Sequence, residues 1–492
     1  MEPAVRRPNP KGRRHLASHL RLPGSSPREI LFRMVPALTT APSSRGRRAA
    51  AARNPAGIAA LVLVLFGPAG PAGLAGLARG QTPTSTGIPV TPAARLAEVV
   101  IPSPDSLAAD LDSLVAAAGD SVVLRFSPGV YRLGSRPYVE ETCGNCEAET
   151  TRVEATVGLR IAGTAVELRG SPDGETILDT GAGYGVLFED CAGCALEGVT
   201  VTGGVRDTAA MASDAAVLVK GGAVEIADCL IRDNVGDSSV VARIVSGIMG
   251  ICGRDGARLT ITGNRILRNS WDGIALYRNT QAVIEGNVVD GADLARGSEI
   301  GGGRGVGIGL TWNAFSTVRG NLIRNYWKGI GVFVDAQATI EENVIENVAT
   351  WGLALWDAGS GRPGGFFRRN VVYKTGACGI MISRTSVERP PPGQLILNAF
   401  VHTGQDPRYD SGEPYCLQEA IARHGVPESF TVSANLLFRN REATGRAGKE
   451  DLDRKSFEAR LRPLWDALDR WGPPKESTFW RDYHEAAAEG NE

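Results

Sequence analysis

Gly273-Ile-Ala-Leu-Tyr277 returns along this chain as Gly307-Ile-Gly-Leu-Thr311, Gly329-Ile-Gly-Val-Phe333, Gly352-Leu-Ala-Leu-Trp356 and Gly379-Ile-Met-Ile-Ser383. In the first three of these segments an asparagine follows the glycine by fourteen residues, at Asn287, Asn321 and Asn343. Asn370 and Asn398 follow the other two at longer gaps. Each asparagine has an apolar residue three positions before it and another two after it, as in Val283-Ile-Glu-Gly-Asn287-Val-Val. Leu259-Thr-Ile-Thr-Gly-Asn264-Arg-Ile and Phe430-Thr-Val-Ser-Ala-Asn435-Leu-Leu repeat that pattern, while Val199 and Cys229 hold the position earlier in the chain.

In each short strand alternate residues, such as Ile274 and Leu276, share one face, and that face is the interior. Two or three such strands in every 22 to 37 residues cannot enclose a core alone, but stacked coils can. Asparagine tolerates the left-handed backbone of a sharp corner, and its amide can bond to the equivalent one a coil away. The row of asparagines therefore reads as a structural corner ladder and not as a catalytic series. Sixty-one glycines fit a chain of many turns between short strands.

Working outward, Ser121-Val-Val-Leu-Arg-Phe126 alternates as a strand and Ser127-Pro-Gly129 turns the chain into the next. Before it, residues 105–118 carry Leu107, Leu111, Leu114 and Val115 at helical spacing, which predicts a helix covering the open N-terminal edge. Residues 81–104 are rich in Pro, Thr and Ser and read as a linker. The first fifty-three residues hold eleven Arg and one Lys against only Glu2 and Glu29, and lead into Ile58-Ala-Ala-Leu-Val-Leu-Val-Leu-Phe66. A basic start, a short apolar run and small residues ending near Ala78 or Gly80 make a secretory signal, with Met34 an alternative start. The apolar run is too short to span a bilayer, so no stable membrane anchor is expected after cleavage, and the location is secreted or periplasmic. A formal net charge of −1 gives no electrostatic case for nucleic acid.

Past the repeat, residues 402–429 interrupt the last coil, with a short helix predicted over 417–423. After Asn440 the composition turns charged and helical, and Phe457, Leu461, Leu464, Trp465 and Leu468 share one helical face. That face predicts a cap on the C-terminal edge of the stack.

Residues from about 122 to 440 resemble the right-handed parallel β-helix superfamily of pectate lyases, polygalacturonases, alginate-modifying enzymes and periplasmic repeat proteins. The Gly-Ile-x-Leu and Gly-Asn-x-Ile coils look most like the exported repeat proteins. An all-β fold is expected: leader and signal over 1–80, linker and cap helix over 81–120, right-handed parallel β-helix over 121–441, and a helical cap or tail over 442–492. The resemblance implies no single activity, because this scaffold carries lyases, hydrolases, epimerases and non-enzymes.

Outward positions carry what chemistry there is. Five of the eight tryptophans, Trp271, Trp312, Trp327, Trp351 and Trp356, fall near the ends of the aligned strands with Tyr277 and Phe333. Arg278, Lys328 and Arg384 lie among them. Aromatic faces beside charges on a long flat sheet suit a polysaccharide, and Trp271, Tyr277, Arg278, Trp312, Phe333, Trp356 and Arg384 are the expected binding residues. The bland alternative, that the rings pack on one another as solenoid ladders do, makes the protein a structural or adhesion solenoid.

For catalysis the candidates are Asp272 and Lys328, both just before an aligned glycine, and Asp335 with Asp357, in neighbouring coils at nearly the same register. Hydrolysis uses two carboxylates about 5–10 Å apart, and equivalent residues of adjacent coils lie about 4.8 Å apart. A lyase instead removes the proton α to a uronate, with a cation and often Ca²⁺ assisting. Asn-Thr-Asp and Asp-Asp elements of polygalacturonases are missing, and Trp271-Asp272 is followed by Gly273 where pectate lyases have His. Asp207, Asp214, Asp228, Asp233 and Asp237 offer oxygens for Ca²⁺, although solvated turn acids are the simpler reading. Of eight cysteines, Cys143–Cys146 and Cys191–Cys194 form Cys-x-x-Cys pairs, which behind a signal peptide suggest disulfides.

Overall fold

Short strands whose side chains alternate between apolar and polar must bury one face. In Gln281–Glu285, Ala282 and Ile284 are buried while Gln281 and Val283 stand exposed. A computed structural model describes residues 97–104, 121–142, 152–163, 165–244, 246–291, 305–358, 361–383, 393–407, 418–424, 430–441 and 451–485. In it the strands form three long sheets of twelve, eleven and eleven strands, called I, II and III. Each coil visits them in that order, as in Phe315–Arg319, Leu322–Arg324 and Lys328–Phe333. Pairing is parallel throughout except between Arg136–Glu140 and Val153–Ala162, and inward residues stack in register, Ile274 on Ile308, Ile330, Leu353 and Ile380. This is the parallel β-helix that the repeat demands.

The asparagine ladder sits at the corner between sheets I and II. Asn321 Oδ1 accepts from the backbone N–H of Asn287 and from its Nδ2, both at 2.9 Å. Its own Nδ2 donates to the carbonyls of Ile284 and Arg319 at 3.0 Å and to Asn343 Oδ1 at 2.9 Å. The ladder runs unbroken from Asn264 to Asn435. One expectation is corrected here: the asparagines do not take the left-handed backbone. The residue before each does, Gly286 at φ 63°, Gly320 at 65°, Glu342 at 59° and Arg369 at 52°. Turning the chain one residue early leaves the asparagine side chain pointing inward, where its amide replaces solvent for the corner's backbone groups.

The stack starts inside the expected linker. Ala97–Ile101 pairs in parallel with Ser121–Phe126, and the helix predicted over 105–118 lies outside the described residues. At the other end, Ile421–His424 is the last strand of sheet III, not part of a helix. Its inward neighbours offered a strand face that outweighed the local helical propensity.

A second correction concerns the C-terminal helix. Asp453 caps it by accepting from Ser456 N at 2.9 Å, and it spans Arg454–Leu468. The helix lies along the flank of the stack, and the residues just before it meet the last coil, Leu452 N donating to Leu437 O at 2.8 Å and Asp451 accepting from Asn440 N at 2.8 Å. Phe457, Leu461, Leu464 and Leu468 cover Val288, Leu322, Val344, Val371 and Val401 on the outer face of sheet II. The Phe438 and Phe457 rings stack at 4.5 Å. Glu342 accepts from Arg470 and from Trp471 Nε1, and Glu346 accepts from the N–H groups of Thr478 and Phe479 at 3.1 and 3.2 Å. A flank is the right target because Asn287-Val288-Val289 and its equivalents place one apolar residue outward and the next inward, so sheet II must be covered on both faces.

Candidate functional site on sheet III

The outer face of sheet III presents three columns along the stack. The first contains Asp272, Val306, Lys328 and Trp351; the second Ala275, Gly309, Gly331 and Ala354; the third Tyr277, Thr311, Phe333 and Trp356. The middle column is made of small residues because the repeat reads Gly-Ile-Gly-Leu, and it is buried, with the Phe333 ring lying over Gly331. Asp272 and Lys328 are therefore brought into one row with only Val306 between them.

Asp272 is 8% exposed, and its Oδ1 accepts from Val306 N at 2.6 Å. Burial pushes its carboxyl up to about 7, against the pull of the Val306 N–H and the Lys328 ammonium. Burial also holds the Tyr277 phenol well above its ordinary value, with the Asp272 charge adding to the shift. Lys328 Nζ lies 3.4 Å from the ring centre of Trp327 and 4.9 Å from that of Trp351, where the ring faces favour the cation.

The expected aromatics are here, and they pack on one another. Tyr277 and Trp312 lie 5.5 Å apart between ring centres, Trp351 and Trp356 6.0 Å, and Phe333 and Trp356 6.3 Å. Trp271, Trp312, Phe333 and Trp356 keep half-buried edges at the surface, whereas Trp351 is buried. Arg278 Nε is paired with Asp255 Oδ1 at 2.7 Å, and Arg384 lies outside the described residues.

Asp335 and Asp357 are not brought together as a pair. Phe333 pairs with Trp356, so Val334 stands opposite Asp357 and the two carboxylates are one residue out of register. Asp357 is fully buried, while Asp335 accepts from Asn313 N at 2.7 Å at the rim and so caps the left-handed turn at Trp312 and Asn313.

Other expectations also change. Asp207 and Asp214 are not solvated turn acids: Asp207 accepts from Thr156 N at 2.7 Å, and buried Asp214 is ion-paired with buried Arg206. Asp233 is held by Arg232 and Arg268, and Asp237 caps Ser238–Ile244 through Ser239 N at 2.7 Å. Among the described residues no cluster of three or more His, Cys, Asp or Glu is arranged around a metal. Cys191 and Cys194 are buried and not disulfide-bonded, and Cys143 and Cys146 lie outside the described residues. The Gly-rich insertion from Gly297 to Gly305, a lid candidate by composition, lies outside them except for Gly305.

Sequence reasoning missed a buried ionic network continuing the third column. Glu140 accepts from Tyr184 Oη at 2.6 Å and from Arg254, and Lys220 stands 3.5 Å from Glu140 and 3.3 Å from Glu189. Arg254 is fully buried there. No sequence signal joins Glu140 to Arg254, since 114 residues separate them.

Asp214, like Asp272, is pushed up to about 7, here by burial that outweighs Arg206. Both groups thus hold a proton in the folded chain that the unfolded chain releases near pH 4. Their contribution to stability is complete below that point and is lost as pH rises to about 7, levelling above it. Thermal melts between pH 5 and 8 should show this decline, and Asp214→Asn/Asp272→Asn should flatten it. A double variant with an unchanged slope would contradict the assignment.

A family model described as the right handed beta helix region matches residues 173–300, about a quarter of the chain. With the three parallel sheets, that match identifies the fold as a right-handed parallel β-helix. No curated protein matches the sequence. Among solved structures, a pectate lyase is 15% identical, over 73% of this chain and 91% of its own, at a TM-score of 0.34. A periplasmic alginate epimerase is 13% identical, over 57% and 77%, at 0.31. The A-module of a mannuronan C-5 epimerase from Azotobacter vinelandii is 15% identical, over 69% and 96%, at 0.29.

Proposed function

We propose that this exported β-helix protein binds an acidic polysaccharide along the outer face of sheet III and transfers a proton at Asp272. The observation that carries this reading is the row of Asp272 and Lys328, with a carboxyl held near 7 beside an ammonium resting on indole rings. A carboxyl near neutrality is suited to take or give a proton at the operating pH. Lys328 supplies the positive charge that a uronate carboxylate needs when the carbon beside it loses its proton. Half-buried edges of Trp312, Phe333 and Trp356 give sugar rings a surface to lie on. Hydrolysis fits less well, because among the described residues Asp335 and Asp357 do not supply a second carboxylate in that row.

A screen of uronate-containing polysaccharides, read by unsaturated-uronate absorbance and by NMR of the sugar ring, tests the reading. Asp272→Asn should lower turnover by roughly 10²–10⁴-fold while the fold persists. A Cβ at Gly309 would sit 3.6 Å from Val306 and 3.8 Å from Asp272 Oδ2, so alanine is accommodated there. Gly309→Val adds bulk beside Asp272 and should lower turnover while the fold persists. If no uronate polymer is bound or turned over, or if Asp272→Asn is without effect, the rings serve packing alone and the protein is a structural or adhesion solenoid.

A further inference from the structure

Sheet I behaves differently from the other two. The tail covers sheet II, and sheet III buries most of its outer face, but the outward residues of sheet I stand in solvent. A trough of about 550 Å³ runs across this face, lined among others by Thr260, Gln281, Val283, Phe315 and Thr317. Phe315 is 56% exposed, a large aromatic left in water at the middle of a regular sheet. The register places Gln281 one rung before it and Gln337 one rung after. Threonines lie two positions further along their strands, at Thr317 and Thr339.

This arrangement has a definite chemistry. An exposed ring flanked at about 4.8 Å intervals by primary amides and hydroxyls offers one apolar platform and a set of neutral donors and acceptors around it. Ionic groups nearby are already matched: Glu285 with Arg319 and Glu341 with Arg368 form pairs along the adjoining column. Arg258 stands one rung beyond Gln281, two from Phe315, and Glu167 and Glu225 also line the trough. The stretch around Phe315 is thus uncharged and rich in hydrogen-bonding groups, which complements a ligand that is itself uncharged and hydroxylated.

We infer that sheet I carries a second, non-catalytic binding face for a neutral oligosaccharide, lying along the stack with a sugar ring on Phe315 and its hydroxyls on Gln281 and Gln337. The inference does not depend on the activity proposed for sheet III, whose residues face another side of the solenoid. Such a face would hold the protein on a neutral polymer while the other face addresses an acidic one.

Affinity electrophoresis of the full chain in gels containing a soluble β-1,4-glucan, a β-1,3-glucan or a galactomannan tests it, with light scattering run alongside. Retardation by at least one polymer is expected, with Phe315→Ala weakening it about tenfold, the loss that an aromatic contact of ~1.5 kcal/mol implies. Phe315→Trp should keep or strengthen it, and Asp272→Asn should leave it unchanged. Melting temperature should not move, since the ring is exposed. Absence of retardation by all three polymers overturns the inference, as does retardation that Phe315→Ala leaves intact. A self-association that Phe315→Ala abolishes also overturns it, assigning the face to a second copy of the chain. Loss of neutral binding with intact uronate turnover would separate this face from sheet III.

Discussion

Asn321→Leu should destabilise the protein by roughly 3–5 kcal/mol, although leucine is close in size and more apolar. Removing the amide strips an acceptor from two donors of Asn287 and a donor from the carbonyls of Ile284 and Arg319 and from Asn343. The groups of Asn287, Ile284 and Asn343 are buried with no water to turn to, and only the Arg319 carbonyl is partly exposed. A buried polar group left unsatisfied costs about 1–3 kcal/mol, and relaxation of the corner recovers only part of several such losses. Because each coil touches mainly its neighbours, the variant should also split one unfolding transition into two, with the coils on either side of Asn321 melting separately. Urea unfolding followed by tryptophan fluorescence and by far-ultraviolet dichroism would show both effects. Gln337→Ala, exposed on sheet I, is the control and should change stability by no more than ~0.5 kcal/mol. If Asn321→Leu behaves like that control, the ladder is not what holds the corners.

Comparable damage is expected from undocking the tail. Leu464→Asp places a carboxylate where a buried leucine meets sheet II, and Phe457→Asp breaks the stack on Phe438. Burying an unpaired charge is costly enough that the helix should leave the sheet before it accepts the charge. Leaving exposes Leu322, Val344, Val371 and Val401 as a continuous apolar strip on a parallel sheet, which is normally covered. The double variant should bind a hydrophobic dye, associate in light scattering and expose the 451–485 segment to protease. The asparagine ladder, on the corner beside that strip, should keep the β dichroism intact. A double variant that stays monomeric and dye-free would mean that the tail is dispensable for solubility.

The two faces bear differently on function. Sheet III concentrates its polar groups where water is scarce, which is why Asp272 holds its proton to about pH 7 and why its reactivity should follow pH in that range. Sheet I keeps its polar groups in solvent, where they can exchange water for a ligand's hydroxyls at little cost. The two proposed faces therefore share no residues and would not compete.

The sequence by itself determined the coil. Spacing from Gly273 to Asn287 and its repetitions specify strands, corners and inward faces, because a period of two along a strand and one amide at each corner are local properties. It also placed Asp272 and Lys328 in one row, since both precede an aligned glycine. Tertiary structure decided the rest. Asp335 and Asp357 look equivalent in a list of positions, but a register offset of one residue sends one into the interior and leaves the other at a turn. Arg254 meets Glu140, 114 residues earlier, only in the folded chain. The C-terminal helix shows the apolar face that must be buried, yet not where. Only the first apolar residue of each Asn-Val-Val corner, turned outward on sheet II, supplies the answer, because a face is complementary to a surface that exists only once the coils have stacked.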